Sequence, residues 1–203
     1  MPTLDYHDKI AVLDLGDGEN RFSPAFLDEL NTHLDTVTAD GAHTLITTAS
    51  GKFYSNGLDL DWLSANGERA DWYVGRVQGL FARVLTLGVP TVAAMPGHAF
   101  GAGAMLAIAH DYRIMRADRG YFCFPEVDIR IPFTPGMAAL IQAKLTPQAA
   151  VASMTTGRRY GGGGAAPARR GGRPPPPRAQ GCPPAPRRGP PGGQGPRPPA
   201  PHQ

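Results

Sequence analysis

Two short stretches of this chain gather residue types that can hold an anionic oxygen, and a third supplies a carboxylate. The first is Tyr54-Ser-Asn-Gly-Leu-Asp-Leu60 and the second is Pro96-Gly-His-Ala-Phe-Gly-Ala-Gly103. Each sets small residues between an extended run and a helical one. Glycine lets a backbone turn tightly and approach a ligand closely. The first turn of a helix leaves N–H groups with no internal acceptor. Two such loops face to face can aim two N–H groups at one carbonyl oxygen, which makes an oxyanion hole. Glycine-rich turns at helix starts also serve purely structural ends. Glu126 follows the apolar run Tyr121–Phe124 and Pro125. A carboxylate against an apolar wall is a candidate general base, because desolvation lifts its pKa toward working pH. The plainer reading is a solvated loop glutamate.

Other reactive side chains read as structural. Ser55 has no identifiable histidine base, so its hydroxyl reads as a loop cap rather than a nucleophile. His98 suits packing or a local hydrogen bond better than substrate contact. His110-Asp111 reads as helix-end structure. Trp62, Trp72 and Phe81 read as core, with the wall of an acyl pocket as the second choice. Gly97, Gly101 and Gly103 lack dinucleotide-fingerprint spacing, and no Gly-Lys-Ser/Thr makes a phosphate loop.

The elements that must position these groups alternate. Lys9–Leu15 reads as a strand ending at the turn Gly16-Asp-Gly18. Ser23 caps a helix with Pro24 at its first position, running to about Asp35. Thr44–Ala49 is a strand, Trp72–Leu87 an amphipathic helix stopped by Gly88-Val-Pro90, and Thr91–Met95 a strand. Gly101–His110 reads as a buried small-residue helix, Tyr112–Met115 and Tyr121–Phe124 as strands, and Pro135–Lys144 and Pro147–Met154 as helices. Strands alternating with helices predict an α/β domain.

Composition divides the chain near Tyr160. Residues 161–203 hold 11 Gly, 14 Pro, 7 Arg and 6 Ala, with no acidic and no large apolar residue, so nothing there offsets the entropy of ordering. Residues 1–160 carry 13 Lys+Arg against 17 Asp+Glu, so the basic balance belongs to the tail, and the core is not expected to bind nucleic acid. Cys123 sits in an apolar run and Cys182 in the tail, which suggests no disulfide framework and a reducing compartment. No signal-peptide pattern opens the chain and no run reaches the ~18 apolar residues of a membrane span. A cytoplasmic protein with no membrane partner is expected.

Ser50-Gly-Lys-Phe-Tyr-Ser-Asn-Gly-Leu-Asp-Leu60, then Gly97-His-Ala-Phe-Gly-Ala-Gly-Ala-Met-Leu-Ala-Ile-Ala-His-Asp-Tyr-Arg-Ile-Met115, then Phe124-Pro-Glu-Val-Asp-Ile129, together resemble the crotonase superfamily of enoyl-CoA hydratases and isomerases. The Δ3,Δ2-enoyl-CoA isomerases are the nearest members. The resemblance covers about residues 8–160. It implies an α/β crotonase (ClpP-like) spiral of ββα units acting on an acyl-CoA thioester, without metal or redox cofactor. By the resemblance, Leu58 and Ala102 supply the oxyanion-hole N–H groups, the second position being more often Gly, and Glu126 is the catalytic acid–base. Ser55, Asn56, Gly57, Asp59, Leu60, Asp61 and Gly101 line the substrate site. Hydratases of the family carry a further glutamate where this chain has Met105, which favours double-bond isomerisation. The alternatives are an enoyl-CoA hydratase of fatty-acid β-oxidation, which would be a lyase, and a non-catalytic truncated protein of this fold.

Relatives would continue past Tyr160 with C-terminal helices that cover the site and help build homotrimers. Here those are expected to be missing, with a disordered tail in their place, leaving apolar surface on the core and the trimer in question. Gly, Pro, Arg and Ala are residues of GC-only codons, so the tail reads as a reading-frame shift in a GC-rich gene. The alternative is a genuine Pro/Arg-rich segment that binds an SH3-like groove or nucleic acid.

Overall fold

The computed structural model describes residues 1–163; the expected tail from residue 164 onward, with Cys182, lies outside the described residues. Strands come in pairs followed by helices. Strand β1 (Thr3–His7) and β2 (Ile10–Asp14) precede helix α1 (Pro24–Ala39). Three ββα units follow. The first is β3 (Thr44–Thr48), β4 (Phe53–Ser55) and α2 (Leu60–Ala65), continued by a 3₁₀ turn and α3 (Ala70–Leu85). The second is β5 (Thr91–Met95), β6 (His98–Phe100) and α4 (Ala102–Ala109). The third is β7 (Tyr112–Met115), β8 (Phe122–Cys123) and α5 (Glu126–Ile129). Helices α6 (Pro135–Lys144) and α7 (Pro147–Thr156) complete the described chain.

The first strand of each unit enters a five-stranded sheet ordered β1-β2-β3-β5-β7, and the second enters a three-stranded sheet ordered β4-β6-β8. All pairings are parallel except β1 with β2, whose register aligns Thr3 with Asp14 and His7 with Ile10. The chain thus winds as a spiral, one turn per unit, as the resemblance implies.

Several elements differ from the sequence reading. Strands β1, β4 and β6 and helices α2 and α5 were not anticipated; five residues or fewer form each of these except α2, too few for a period to show. The strand expected at Tyr121–Phe124 shrinks to Phe122–Cys123, because Phe124 and Pro125 already turn toward α5. Helix α1 runs on to Ala39, and α3 begins at Ala70 and ends at Leu85 rather than Leu87. The Ser23 cap holds, and Thr134 and Thr146 cap α6 and α7 in the same way, each accepting a first-turn N–H and each followed by Pro.

Helix α4 is buried on every face and lies at the centre of the core, with α3 and α6 packed against it. Its small residues let both neighbours come close. On strand β7, at the edge of the larger sheet, Tyr112 is 51% and Ile114 65% exposed.

One buried polar chain ties α4 to both sheets. His110 Nδ1 lies 2.8 Å from the Leu106 carbonyl, which can only accept, so Nδ1 carries the proton. Nε2 therefore accepts from the Thr47 hydroxyl at 3.0 Å, and Thr47 in turn accepts from Tyr54 Oη at 2.7 Å. Burial pushes His110 down to about 4. The unfolded imidazole titrates near 6.5, so below that pH the unfolded chain binds a proton the folded chain refuses. Stability from this group is complete above 6.5 and is lost as pH falls toward 4, about 3 kcal/mol in all. Urea unfolding of His110→Gln against the parent chain is expected to shift in the variant's favour by that amount from pH 7 to pH 4; a pH-independent difference contradicts the buried neutral histidine.

Candidate active site

A cavity of about 310 Å³ opens where the two strand-to-helix loops meet the N-terminus of α5. Leu58, Gly101, Ala102 and Glu126 line it, together with Asn56, Leu60, Asp61 and the apolar groups of Phe100, Pro125, Ile129 and Ile131. Three elements far apart in sequence thus converge on one space.

Close backbone contact brings the two loops together. Gly57 has φ +81°, and a Cβ there would stand 2.7 Å from the Phe100 carbonyl oxygen and 2.9 Å from Ala102 N. A Cβ on Gly103 would stand 2.4 Å from the Ser55 carbonyl oxygen. Only glycine permits this approach without a backbone shift. It sets the Leu58 and Ala102 peptides beside each other at the cavity.

Hydrogen bonding leaves these two N–H groups open. Asn56 N–H donates to Glu19 O at 2.8 Å, Gly57 N–H to Ser55 Oγ at 3.1 Å and Asp59 N–H to Tyr73 Oη at 2.8 Å. Across residues 56–59, the Leu58 N–H alone has no acceptor among the described residues. In the second loop, Gly101 N–H donates to Cys123 O at 3.0 Å and Met105 N–H begins the α4 ladder on Gly101 O. Ala102 is the first residue of that helix, and its N–H also lacks an acceptor there.

Glu126 faces them from the first position of α5. It is 7% exposed, and its Oε2 is buried without a hydrogen-bond partner. Its Oε1 lies 3.3 Å from where a Gly101 Cβ would stand, so glycine at φ +53° keeps the carboxylate's approach clear. Burial lifts the carboxyl to about 7, against the opposing pull of its own backbone N–H. The solvated-loop reading of Glu126 is thereby set aside.

The expected substrate-binding stretch divides. Asn56, Leu60, Asp61 and Gly101 line the cavity, whereas Ser55, Gly57 and Asp59 do not. The Ser55 hydroxyl is turned inward, and the Asp59 carboxylate accepts from Trp62 N–H at 3.1 Å to cap α2. Met105 is fully buried in α4 away from the cavity lining. His98 Nδ1 accepts from Tyr121 N–H at 3.1 Å on the outer side of the small sheet. Asp111 accepts from Thr91 through N–H and hydroxyl, so it makes no pair with the His110 ring. Phe81 is core, Trp62 meets Tyr73 in a tilted ring contact with centroids 5.0 Å apart, and Trp72 is 43% exposed; none walls the cavity.

Arg21 was not read from the sequence. Its guanidinium lines the cavity and pairs with Asp61 at 2.8 Å and with Glu19. Its only sequence signal is a charge just past the turn after β2, too common to single out.

A two-sheet spiral that sets two open backbone donors against one buried carboxylate defines the class: a crotonase-fold protein. The comparisons with known proteins agree. Residues 6–170 match the model of the enoyl-CoA hydratase/isomerase family. The chain is 38% identical over 154 residues to the peroxisomal enoyl-CoA delta isomerase 1 of Arabidopsis thaliana, covering 74% of this chain and 64% of that one. It is 41% identical over 121 residues to the carnitinyl-CoA dehydratase of Escherichia coli K12, covering 58% and 44%. An enoyl-CoA hydratase/isomerase family protein from Pseudomonas syringae superposes with a TM-score of 0.76 at 28% identity, over 79% of this chain and 70% of that one. The chain belongs to the enoyl-CoA hydratase/isomerase family. It spans less than two-thirds of the length of these two curated relatives.

The buried carboxylate has a stability signature. Unfolded, a glutamate ionises near 4.5; folded, Glu126 holds its proton to about 7. The fold therefore loses stability as pH rises through that window, about 3 kcal/mol in total. Glu126→Gln cannot ionise. Its stability advantage over the parent is expected to grow by about that amount between pH 4.5 and pH 8, read by urea unfolding, and a constant offset refutes the raised pKa.

Proposed function

We propose that the protein isomerises acyl-CoA thioesters, moving the double bond of a 3-enoyl-CoA to the 2-position. The observation that carries this reading is a single unpartnered carboxylate, poised near neutral pH, opposite two open backbone N–H groups in one apolar cavity.

The thioester carbonyl oxygen sits between the N–H groups of Leu58 and Ala102. The Glu126 carboxylate removes a proton from C2, and the electron pair moves into the carbonyl to give a dienolate. The two N–H groups stabilise the charge on that oxygen as it develops. Glu126 then returns the proton to C4. Electrons flow back from oxygen, leaving the double bond between C2 and C3. One proton leaves and one arrives, so one carboxylate suffices and no oxidant or water is consumed. The methyl of Ala102 leaves its N–H intact. The delta isomerase relative points the same way.

Hydration or dehydration is the second reading, favoured by the dehydratase relative. Adding water calls for a second group to hold and activate it, and the fully buried Met105 offers none.

Turnover of a 3-enoyl-CoA to the 2-enoyl-CoA by the purified chain tests the proposal. Glu126→Gln is expected to lower kcat by at least about 10²-fold while acyl-CoA still binds. Because the base works as the carboxylate, kcat/KM is expected to rise with pH around a midpoint near 7. Activity retained in the variant, or hydration outrunning isomerisation, overturns the reading.

A further inference from the structure

Two polar side chains beside the cavity are sealed away from it. Asn20 is 8% exposed and Ser55 is fully buried, and neither lines the cavity. Buried amide and hydroxyl groups persist only where their bonds are made. Ser55 Oγ donates to the Asn20 carbonyl at 2.8 Å and accepts the Gly57 N–H at 3.1 Å. Asn20 Nδ2 donates to the carbonyls of Gly16, Phe53 and Tyr54, each at 3.1 Å. Asn20 itself holds φ +51°, a conformation asparagine tolerates better than most residues.

These bonds fix two successive peptide planes that meet at Gly57: its N–H belongs to the Asn56–Gly57 peptide and its carbonyl to the Gly57–Leu58 peptide. Gly57 N–H is taken by Ser55, and Gly57 O accepts Phe22 N–H at 2.8 Å. Phe22 follows the Asn20 turn, so the carbonyl's anchor is set by that turn. The carbonyl of Gly57 and the N–H of Leu58 belong to one planar trans peptide and point in opposite directions. Binding the carbonyl to the Phe22 side therefore drives the Leu58 N–H the other way, where it finds no acceptor among the described residues.

We infer that Asn20 and Ser55 are positioning residues that lock the Gly57–Leu58 peptide with its N–H aimed into the cavity. Their effect on turnover rests on the isomerase reading; their effect on the peptide rests on geometry alone. Neither touches substrate. Both act through the Leu58 donor.

Ser55→Ala removes both hydroxyl bonds. Asn20→Gly removes the amide and keeps the left-handed backbone. In ¹⁵N-labelled ligand-free protein, each variant is expected to shift and broaden the Leu58 amide resonance while leaving that of Ala102 in place. With a 3-enoyl-CoA, kcat is expected to fall about ten- to a hundredfold with KM unchanged, the signature of a donor misaimed in the transition state. A folded Ser55→Ala protein whose Leu58 resonance stays put overturns the inference, as does a drop in melting temperature with kcat intact. If Asn20→Gly fails to fold, Ser55→Ala decides. If the parent chain does not isomerise at all, the function proposal fails while the Leu58 resonance still judges the positioning claim.

Discussion

The structure depends on one close approach, that of the β4–α2 loop to the N-terminus of α4. At Gly57 and Gly103 the two backbones come nearer than any side chain allows. Two parallel strands, β4 and β6, run into that contact, and each is only three residues long. β4 is tied to the larger sheet and to the end of α4 through the buried Tyr54–Thr47–His110 chain. At that contact the Leu58 and Ala102 peptides lie beside each other, and neither N–H has an acceptor among the described residues.

The surrounding hydrogen bonds show how those donors are kept open. Each neighbour of Leu58 from Asn56 to Asp59 spends its N–H on a partner from elsewhere: the loop before α1, the Ser55 hydroxyl, or Tyr73 on α3. The Tyr73 phenol is itself buried, its pKa pushed up to about 12, so it stays a neutral acceptor for Asp59. Glu126 sits on the opposite side, with an oxygen that has no partner among the described residues. Unpartnered donors facing an unpartnered carboxylate are costly in a resting fold. In the isomerase reading we propose, a thioester oxygen and an acidic C–H complete them.

Much of this was legible in the sequence, for identifiable reasons. Proline after Ser23, Thr134 and Thr146 marks three helix starts, because a cap and a fixed φ are local properties. Gly57 and Gly101 stand out in small-residue turns, and Glu126 because it follows an apolar run. The three-stranded sheet was not legible, since two or three residues carry no periodicity. Asn20 and Arg21 were missed because their partners, Phe53, Tyr54 and Asp61, lie 33 to 40 positions away. Ser55 and Asp59 were expected to face substrate, but their neighbours in space claim them: Asn20 for the hydroxyl and Trp62 for the carboxylate.

The most direct test of the central claim is a crystal structure of the chain with a saturated acyl-CoA bound. The account predicts the thioester oxygen within about 3 Å of both Leu58 N and Ala102 N, with C2 facing the Glu126 carboxylate. A thioester oxygen that meets neither N–H, or a C2 turned away from Glu126, contradicts it.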